Sequence, residues 1–366
     1  MTADLQSYLV LGNGQGGGAV QLQTWGRAIL IGFTYIGTIV GAGFASGQEI
    51  LQFFTLYGKV ATITILISSF LFLWLGTKIM VLAKDIQARS YEDLNVYLFG
   101  ETAGKFVSLL MFILLLAIST VMLAGAGSVF HEHFHVSYQS GLLITVMLVF
   151  IVMTKGMNGI KIVNTVVVPF MLLFMLIILM ISLQLSSSEN FMRMATVQPM
   201  WRVLLSPFMY TAFNLALAQA VLVPLGATAA DSRTIRLGGL IGGSGITIML
   251  LVGHISLSAH MPGIAQFDLP MSHIISPLGP VLRILFVTLI YAEIFTTLIA
   301  DIFGLNSQLA QHIDLHPSAM TVILLTFCYT VSQFGFKTLL STLYPLLGLI
   351  SLVWLSMLVM KRRQTV

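Results

Sequence analysis

The chain has 366 residues, 57% of them hydrophobic and only 8% charged. A water-soluble protein carries roughly 25% charged residues, so one soluble core is excluded and an all-α polytopic membrane protein is expected. The net charge of +4 is scattered between apolar runs, which excludes a nucleic-acid surface, and the lone Cys328 excludes an internal disulfide or a cysteine metal site.

Residues 1–26 are polar and glycine-rich, with GNGQGGG from Gly12 to Gly18, and read as a flexible cytoplasmic tail. The only charge before Arg27 is Asp4, so the basic start of a cleaved signal is missing. Ten apolar runs follow, at about 27–57, 60–83, 104–130, 138–154, 158–184, 203–226, 237–260, 281–304, 318–335 and 338–360. Each reaches the length needed to cross a bilayer, the fourth only just, at 17 residues. With the N-terminus inside, five of the 17 Lys and Arg are external (Lys59, Arg193, Arg202, Arg283 and Lys337) and the other twelve are internal. That asymmetry places both termini in the cytoplasm.

Spans 6 to 10 follow spans 1 to 5 at an offset of about 175 residues. Five is odd, so the second half enters the membrane with opposite orientation, an inverted repeat of the kind found in secondary transporters. The chain divides into a first repeat (27–184), an external connection (185–202), a second repeat (203–360) and a basic tail (361–366).

The first span is interrupted at its centre by VGAGFASGQEI, Val40 to Ile50. Three glycines cost roughly 1 kcal/mol each relative to alanine in a helix. Unwinding there frees backbone N–H and C=O groups at membrane depth, which is tolerated only where protein or a wet cavity satisfies them. A half-helix starting near Ser46 presents free N–H groups to an anion such as a carboxylate. The carbonyls at about Gly41 to Phe44 are left for a cation, so one break suits a zwitterionic amino acid and its coupling ion. Ser46-Gly47-Gln48-Glu49 also matches the capping box. Glu49 therefore has two compatible readings, as a cap and as a proton carrier or ammonium partner.

The sixth span, SPFMYTAFNLALAQAVLVPLG from Ser206 to Gly226, carries Asn214 and Gln219 between Pro207 and Pro224. Phe213-Asn214 corresponds to the glycine cluster in the other half, so helices 1 and 6 are both expected to be broken, the best sequence pointer to a transporter site. In the eighth span Glu293 is near the centre, and Glu293, Thr296, Thr297, Ala300 and Asp301 share one helical face. An intramembrane carboxylate is a functional candidate; the alternative is a protonated packing glutamate. Asp301 is read as an interfacial anchor. AGAGSVF (Ala124 to Phe130) reads as close helix packing, as do Asn158, Asn164 and Pro169. HEHFH (His131 to His135) would need an extended segment to share a metal ion, and no metal is expected. The glycines at 238–245 lack the lysine of a phosphate loop. No nucleophile–base pair emerges, so neither an enzyme nor a cofactor is expected. The external loop from His260 to Pro280 is a gate or a connector.

GAGFASGQE in the first span and FNLALAQAVLVPLG in the sixth resemble the YkvI-type bacterial membrane proteins. That group is similar to the amino acid–polyamine–organocation superfamily, whose members have the LeuT-type 5+5 inverted-repeat fold. The resemblance covers 27–360 and implies a bacterial inner-membrane protein with substrate held at the breaks of spans 1 and 6. Carried over, the substrate residues are Ala42, Gly43, Phe44, Ala45, Ser46, Gly47, Phe213, Asn214 and Gln219. Sodium-coupled members hold an ion between span 1 carbonyls and a hydroxyl pair in span 8, which implies Gly41, Phe44, Thr296 and Thr297, with Glu49 and Glu293 as further ion-coupling candidates. Glu293 departs from the small residue typical of sodium-coupled relatives, and a carboxylate there either binds the ion directly or replaces it with a proton; a proton is slightly favoured over sodium because two carboxylates lie at membrane depth. Lys155 and Lys161 do not match the span 5 lysine of some proton-coupled relatives. The implied function is ion-coupled transport of an amino-acid-like solute, with H+ or Na+ as coupling ion, the lipid bilayer as solvent and the oligomeric state open. The alternatives are a nutrient receptor of the same fold, as in spore-germination receptors, or a transporter of a cationic amine or metal ion; a channel is least favoured.

Overall fold

The computed structural model describes residues 13–196, 198–267, 269–333 and 351–361, and their regular structure is entirely helical. The first span comes in three pieces, α1 (Asn13–Ile39), the single turn α2 (Ala42–Ala45) and α3 (Gln48–Phe53), followed by a 3-10 turn (Thr55–Val60). The second joins α4 (Ala61–Leu71), a π-turn (Phe72–Gly76) and α5 (Thr77–Asp85). Then come α6 (Tyr91–Phe99), α7 (Glu101–Phe134), α8 (Tyr138–Met153), α9 (Met157–Leu183), α10 (Asn190–Arg193), α11 (Met200–Ala227) and α12 (Ser232–Ala259). The rest are α13 (Pro270–Ile275), α14 (Pro280–His312), α15 (Pro317–Ser332) and α16 (Ser351–Met360). Six of these helical stretches are long and apolar enough to cross a membrane, and α8, α15 and α16 are shorter apolar helices. Large apolar side chains face outward, among them Phe70 at 62%, Met180 at 66% and Val281 at 69% exposed, the reverse of a soluble surface. The tenth span and Lys337 lie mostly outside the described residues, which contain only α16 of that region.

Two expectations are corrected. Helix α1 begins at Asn13, so Gly14 to Gly18 belong to a helix and not to a flexible tail. Once the buried part of α1 is nucleated, each added residue is a cheap propagation step. The sixth span is also unbroken, because α11 runs from Met200 to Ala227 with Pro207 and Pro224 inside it. Each proline removes only one N–H donor, the one that would reach Val203 O or Ala220 O, and side chains brace other carbonyls along the helix. The Ser68 hydroxyl donates to Pro207 O at 3.2 Å, and the Thr228 hydroxyl to Pro224 O at 2.7 Å. The Asn214 amide donates to Tyr210 O, four residues back, at 2.9 Å. A proline in a membrane helix need not break it.

The helices pack in two groups. One contains α1, α4–α5, α11 and α12, and the other α7, α8, α14 and α15; α9 touches α1, α12 and α14 and joins them. Each group takes equivalent spans from both halves, first and second with sixth and seventh, third and fourth with eighth and ninth, as an inverted repeat requires.

The 238–245 glycines explain the close crossing in the first group. Gly238 and Gly242, one turn apart, face α1, where a Cβ would run into Ile31 and Tyr35. Gly239 and Gly243 turn the next face to Leu73 and Thr77 of the second span. Small residues let backbones approach. Tyr35 uses the space to donate its hydroxyl to Phe72 O at 2.8 Å, at the start of the π-turn, where the α-helical ladder is open to an outside donor.

Caps fix the ends. A capping box of Ser90 and Asp93 starts α6, and Asp231 starts α12 by accepting from the Thr234 N–H and hydroxyl, both at 2.7 Å. Those bonds, the backbone N–H foremost, hold the Asp231 carboxyl below its usual range. Asp231→Ala is expected to lower stability by about 1 kcal/mol at neutral pH. A carboxyl lowered on folding contributes above its unfolded value of about 3.9 and loses that contribution as pH falls through the folded value. Thermal unfolding of the two proteins should therefore converge in acid.

Candidate functional site at the break of the first span

Val40 N–H donates to Ile36 O at 2.8 Å, and the next bond along the chain is Ala45 N–H to Gly41 O at 2.9 Å. Between them the amides of Gly41 to Phe44 and the carbonyls of Gly37 to Val40 leave the helical ladder. Gly41 is extended, with φ −119° and ψ −171°. Gly47, at φ 87°, supplies the left-handed turn that starts α3, a conformation open to glycine at little cost.

The expected capping box is not formed. Gly47 is the N-cap of α3. The Ser46 hydroxyl donates to Gly43 O at 3.0 Å and accepts from Gln48 N–H at 3.3 Å. Ser46 N–H is already bonded to Ala42 O, so Glu49 has no cap to complete. Its carboxylate folds over Gly43, where a Cβ would overlap Oε1. Gly43→Ala should therefore cost about 1–3 kcal/mol by overpacking. The cost should vanish when Glu49 is also replaced by Ala, as a double-mutant cycle of thermal unfolding would read.

The expected cation carbonyls are also displaced. Gly41 O and Phe44 O accept Ala45 N–H and Gly47 N–H, because the short turn α2 re-forms the ladder there. The carbonyls that lose their helical partners are one turn earlier, from Gly37 to Val40. Three elements meet beside them. Thr297 Oγ1 lies 3.0 Å from the place a Gly41 Cβ would take. The Thr296 and Thr297 hydroxyls donate to Glu293 O at 2.9 and 3.0 Å, and Glu293 is fully buried with Oε1 unpartnered. From α9, the Asn164 side-chain oxygen abuts Gly37 and has no hydrogen-bond partner. The sequence reading assigned Asn164 to packing; its signal was a polar side chain in the apolar fifth span.

On the other side, the Glu49 Oε2 and the Tyr210 hydroxyl are buried and face each other. Rings of Phe53, Phe54 and Phe72 hold Tyr210 in place. Phe44 and Ala45 are fully buried, Ala42 is half-buried, and Phe213 and Asn214 are buried on α11. Gln219 is buried with neither amide atom partnered. It lies five residues, about 7.5 Å along the helix, beyond Asn214, so the break does not gather it in.

The loop after α12 clamps the segment of the first span that follows the break. Met271 N–H donates to Ser46 O at 3.0 Å, and the Gln48 amide to Phe267 O at 2.7 Å. The loop thus covers the break as well as connecting α12 to α14. Helix α7 continues to Phe134, so His131 and His133 point about 200° apart and do not converge on an ion. Among the described residues no three His, Cys, Asp or Glu gather for a metal. Asp301, expected at the membrane boundary, is only 4% exposed. Gly127 packs against Tyr138 and Leu142, in keeping with the packing role of Ala124 to Phe130.

No family model matches the chain. It is 38% identical over 340 residues to the uncharacterized membrane protein YkvI of Bacillus subtilis (strain 168), covering 93% of this chain and 97% of that protein. Among solved structures, MhsT in complex with L-phenylalanine matches with a TM-score of 0.69 at 13% identity, over 90% of this chain and 87% of that one. A Na+-coupled sialic acid symporter in a substrate-bound outward-open state matches at 0.64 and 12% identity, over 90% of this chain and 78% of that one. At these identities the structural likeness concerns the fold. The chain therefore belongs to the YkvI family of membrane proteins and has the LeuT-type fold.

Proposed function

We propose that the protein is an ion-coupled secondary transporter of a small amino-acid-like solute, working by alternating access about the broken first span. The observation that carries this reading is the break itself, with unladdered backbone groups flanked by two carboxylates, Glu49 and Glu293. None of the ion pairs among the described residues involves either. The N–H groups of Gly41 to Phe44 suit a substrate carboxylate, and Glu49 with the Tyr210 hydroxyl suits its ammonium. Glu293, Thr297, Asn164 and the carbonyls of Gly37 to Val40 suit the coupling cation. A proton is preferred to sodium because an unpaired intramembrane carboxylate is most simply neutralised by one. The expected setting is the bacterial cell membrane with both termini cytoplasmic.

A cationic amine without a carboxylate is the second reading. It is favoured by the Glu49 carboxylate lying over Gly43, where it faces the freed amides itself. A thermal-shift panel of amino acids and small amines, with and without sodium and at two pH values, separates the two, since a ligand of the folded state raises its stability. Uptake of the stabilising solute into proteoliposomes under a proton or sodium gradient then tests transport. Stabilisation without flux would favour the receptor alternative.

A further inference from the structure

The site just described leaves Asp301 without a role. It lies eight residues, about 12 Å along α14, from Glu293 toward the end that carries His312. It is buried, and its Oδ2 has no hydrogen-bond partner. Maintaining a charge at membrane depth costs about 2.5–3.5 kcal/mol or more, so an unpaired acid there calls for an explanation.

Its surroundings supply one. Tyr91 of α6 and Cys328 of α15 are the titratable groups that face it. On the α11 side, Ala220 packs against Gly304, about one turn beyond Asp301. The Tyr91 hydroxyl donates to the Gln308 side-chain oxygen, and the Gln308 amide donates to Glu92 Oε2 at 3.0 Å. The same oxygen of Glu92 is 2.8 Å from His312 Nε2. Glu92 is buried and His312 half exposed. Other charges near this end are Asp93, which accepts from Gln311, the Lys105–Glu101 pair of α7, and Asp314 just beyond His312. On α14, Glu293, Thr297, Asp301, Gln308 and His312 are spaced by four, four, seven and four residues, so they form one stripe. The stripe runs from the centre of the helix to its exposed end.

We propose that Asp301 is the middle station of a proton path along α14, from Glu293 to the Glu92–His312 pair. The proposal rests on the proton-coupled reading of the site. A proton leaves the Glu293 carboxyl and joins the Asp301 carboxylate. It then passes to the Glu92 carboxylate and from there to water beside His312. Each donor returns to the carboxylate form, so one proton moves and no other bond changes. The Thr297 and Tyr91 hydroxyls stand in the two gaps, which transient water completes.

Infrared difference spectroscopy of the full-length protein in lipid bilayers tests this with protons and deuterons as the only probes. The C=O stretch of protonated carboxyl groups is followed between acid and alkaline pH, in water and in deuterium oxide. Asp301→Asn should remove one titrating component, and Asp301→Glu should restore it. Glu92→Gln should slow the deuterium exchange of the Asp301 component several-fold without removing it, a change that a purely structural acid would not produce. An Asp301 component that neither titrates nor exchanges, or an exchange rate untouched by Glu92→Gln, overturns the proposal. Thermal unfolding of each variant establishes that it is folded. No solute is needed, so a negative result here leaves the transport reading standing, and that reading fails separately if the ligand panel and uptake assay find nothing.

Discussion

Glu293→Gln is expected to abolish gradient-driven accumulation of solute while the protein stays folded. Glutamine has nearly the same volume, so the packing of α14 is kept. The shorter hydroxyl bonds of Thr296 and Thr297 that brace this turn go to the backbone oxygen of residue 293, which the substitution leaves in place; the longer one, from Thr296 to Glu293 Oε2 at 3.4 Å, has an amide oxygen to accept it. What disappears is the ability to hold a proton reversibly or to pair with a cation. Removing one partner of a buried charge pair costs about 2–5 kcal/mol, so cation binding should weaken about 30-fold or more. Exchange of labelled solute across proteoliposomes does not need net ion movement and should survive, while uptake against a gradient should not. Full gradient-driven uptake by the variant would remove Glu293 from the coupling mechanism.

Gly242→Val is expected to have the largest effect on the fold. A Cβ at Gly242 meets the ring of Tyr35, and that ring has nowhere to go. Its hydroxyl is bonded to Phe72 O, and the same hydroxyl fills the space a Gly76 side chain would take. Overpacking of this kind costs about 1–3 kcal/mol and occasionally more. Here it falls on the seam between the first, second and seventh spans, which carries the break. Gly263→Ala is the control, because a Cβ at Gly263 meets nothing within 4 Å. The unfolding midpoint and the folded yield in detergent should fall for Gly242→Val and stay level for Gly263→Ala. Equal behaviour of the two would mean that the glycine seam does not hold the helices together.

The spans were legible in the sequence because a bilayer demands long apolar runs and polar residues mark their ends. The third span, expected at 104–130, is α7 from Glu101 to Phe134, and the fifth, expected at 158–184, is α9 from Met157 to Leu183. The break in the first span was legible for a related reason: a glutamine and a glutamate accompany its three glycines and serine at mid-span, whereas the glycine run of α12, which has neither a glutamine nor a glutamate, stays helical. The continuity of α11 was not legible, since two prolines flanking Asn214 and Gln219 look like an interruption in sequence, whereas the helix runs through them. The burial of Asp301 was hidden because α14 continues to His312, about two turns beyond the apolar run, and α6 and α15 pack against it. Asn164 was visible as a polar residue, yet only the packing of α9 on α1 brings it to Gly37. The start of α6 could have been read from Ser90 and Asp93, a capping pair that the reading by apolar runs passed over.

The π-turn of the second span bears on how the two halves of the chain can be aligned. A π-turn inserts a residue into an α-helix, so the segments on either side are rotated by about 100° relative to an uninterrupted count. Its counterpart in the other half, α12, is α-helical throughout. An internal alignment of the two halves must therefore open a one-residue gap between Leu71 and Thr77, or every downstream position of α5 will be matched to the wrong face of α12. By the same arithmetic, a homologue one residue shorter in this stretch would have a straight second helix, and the phenol of its Tyr35 equivalent would need a different acceptor.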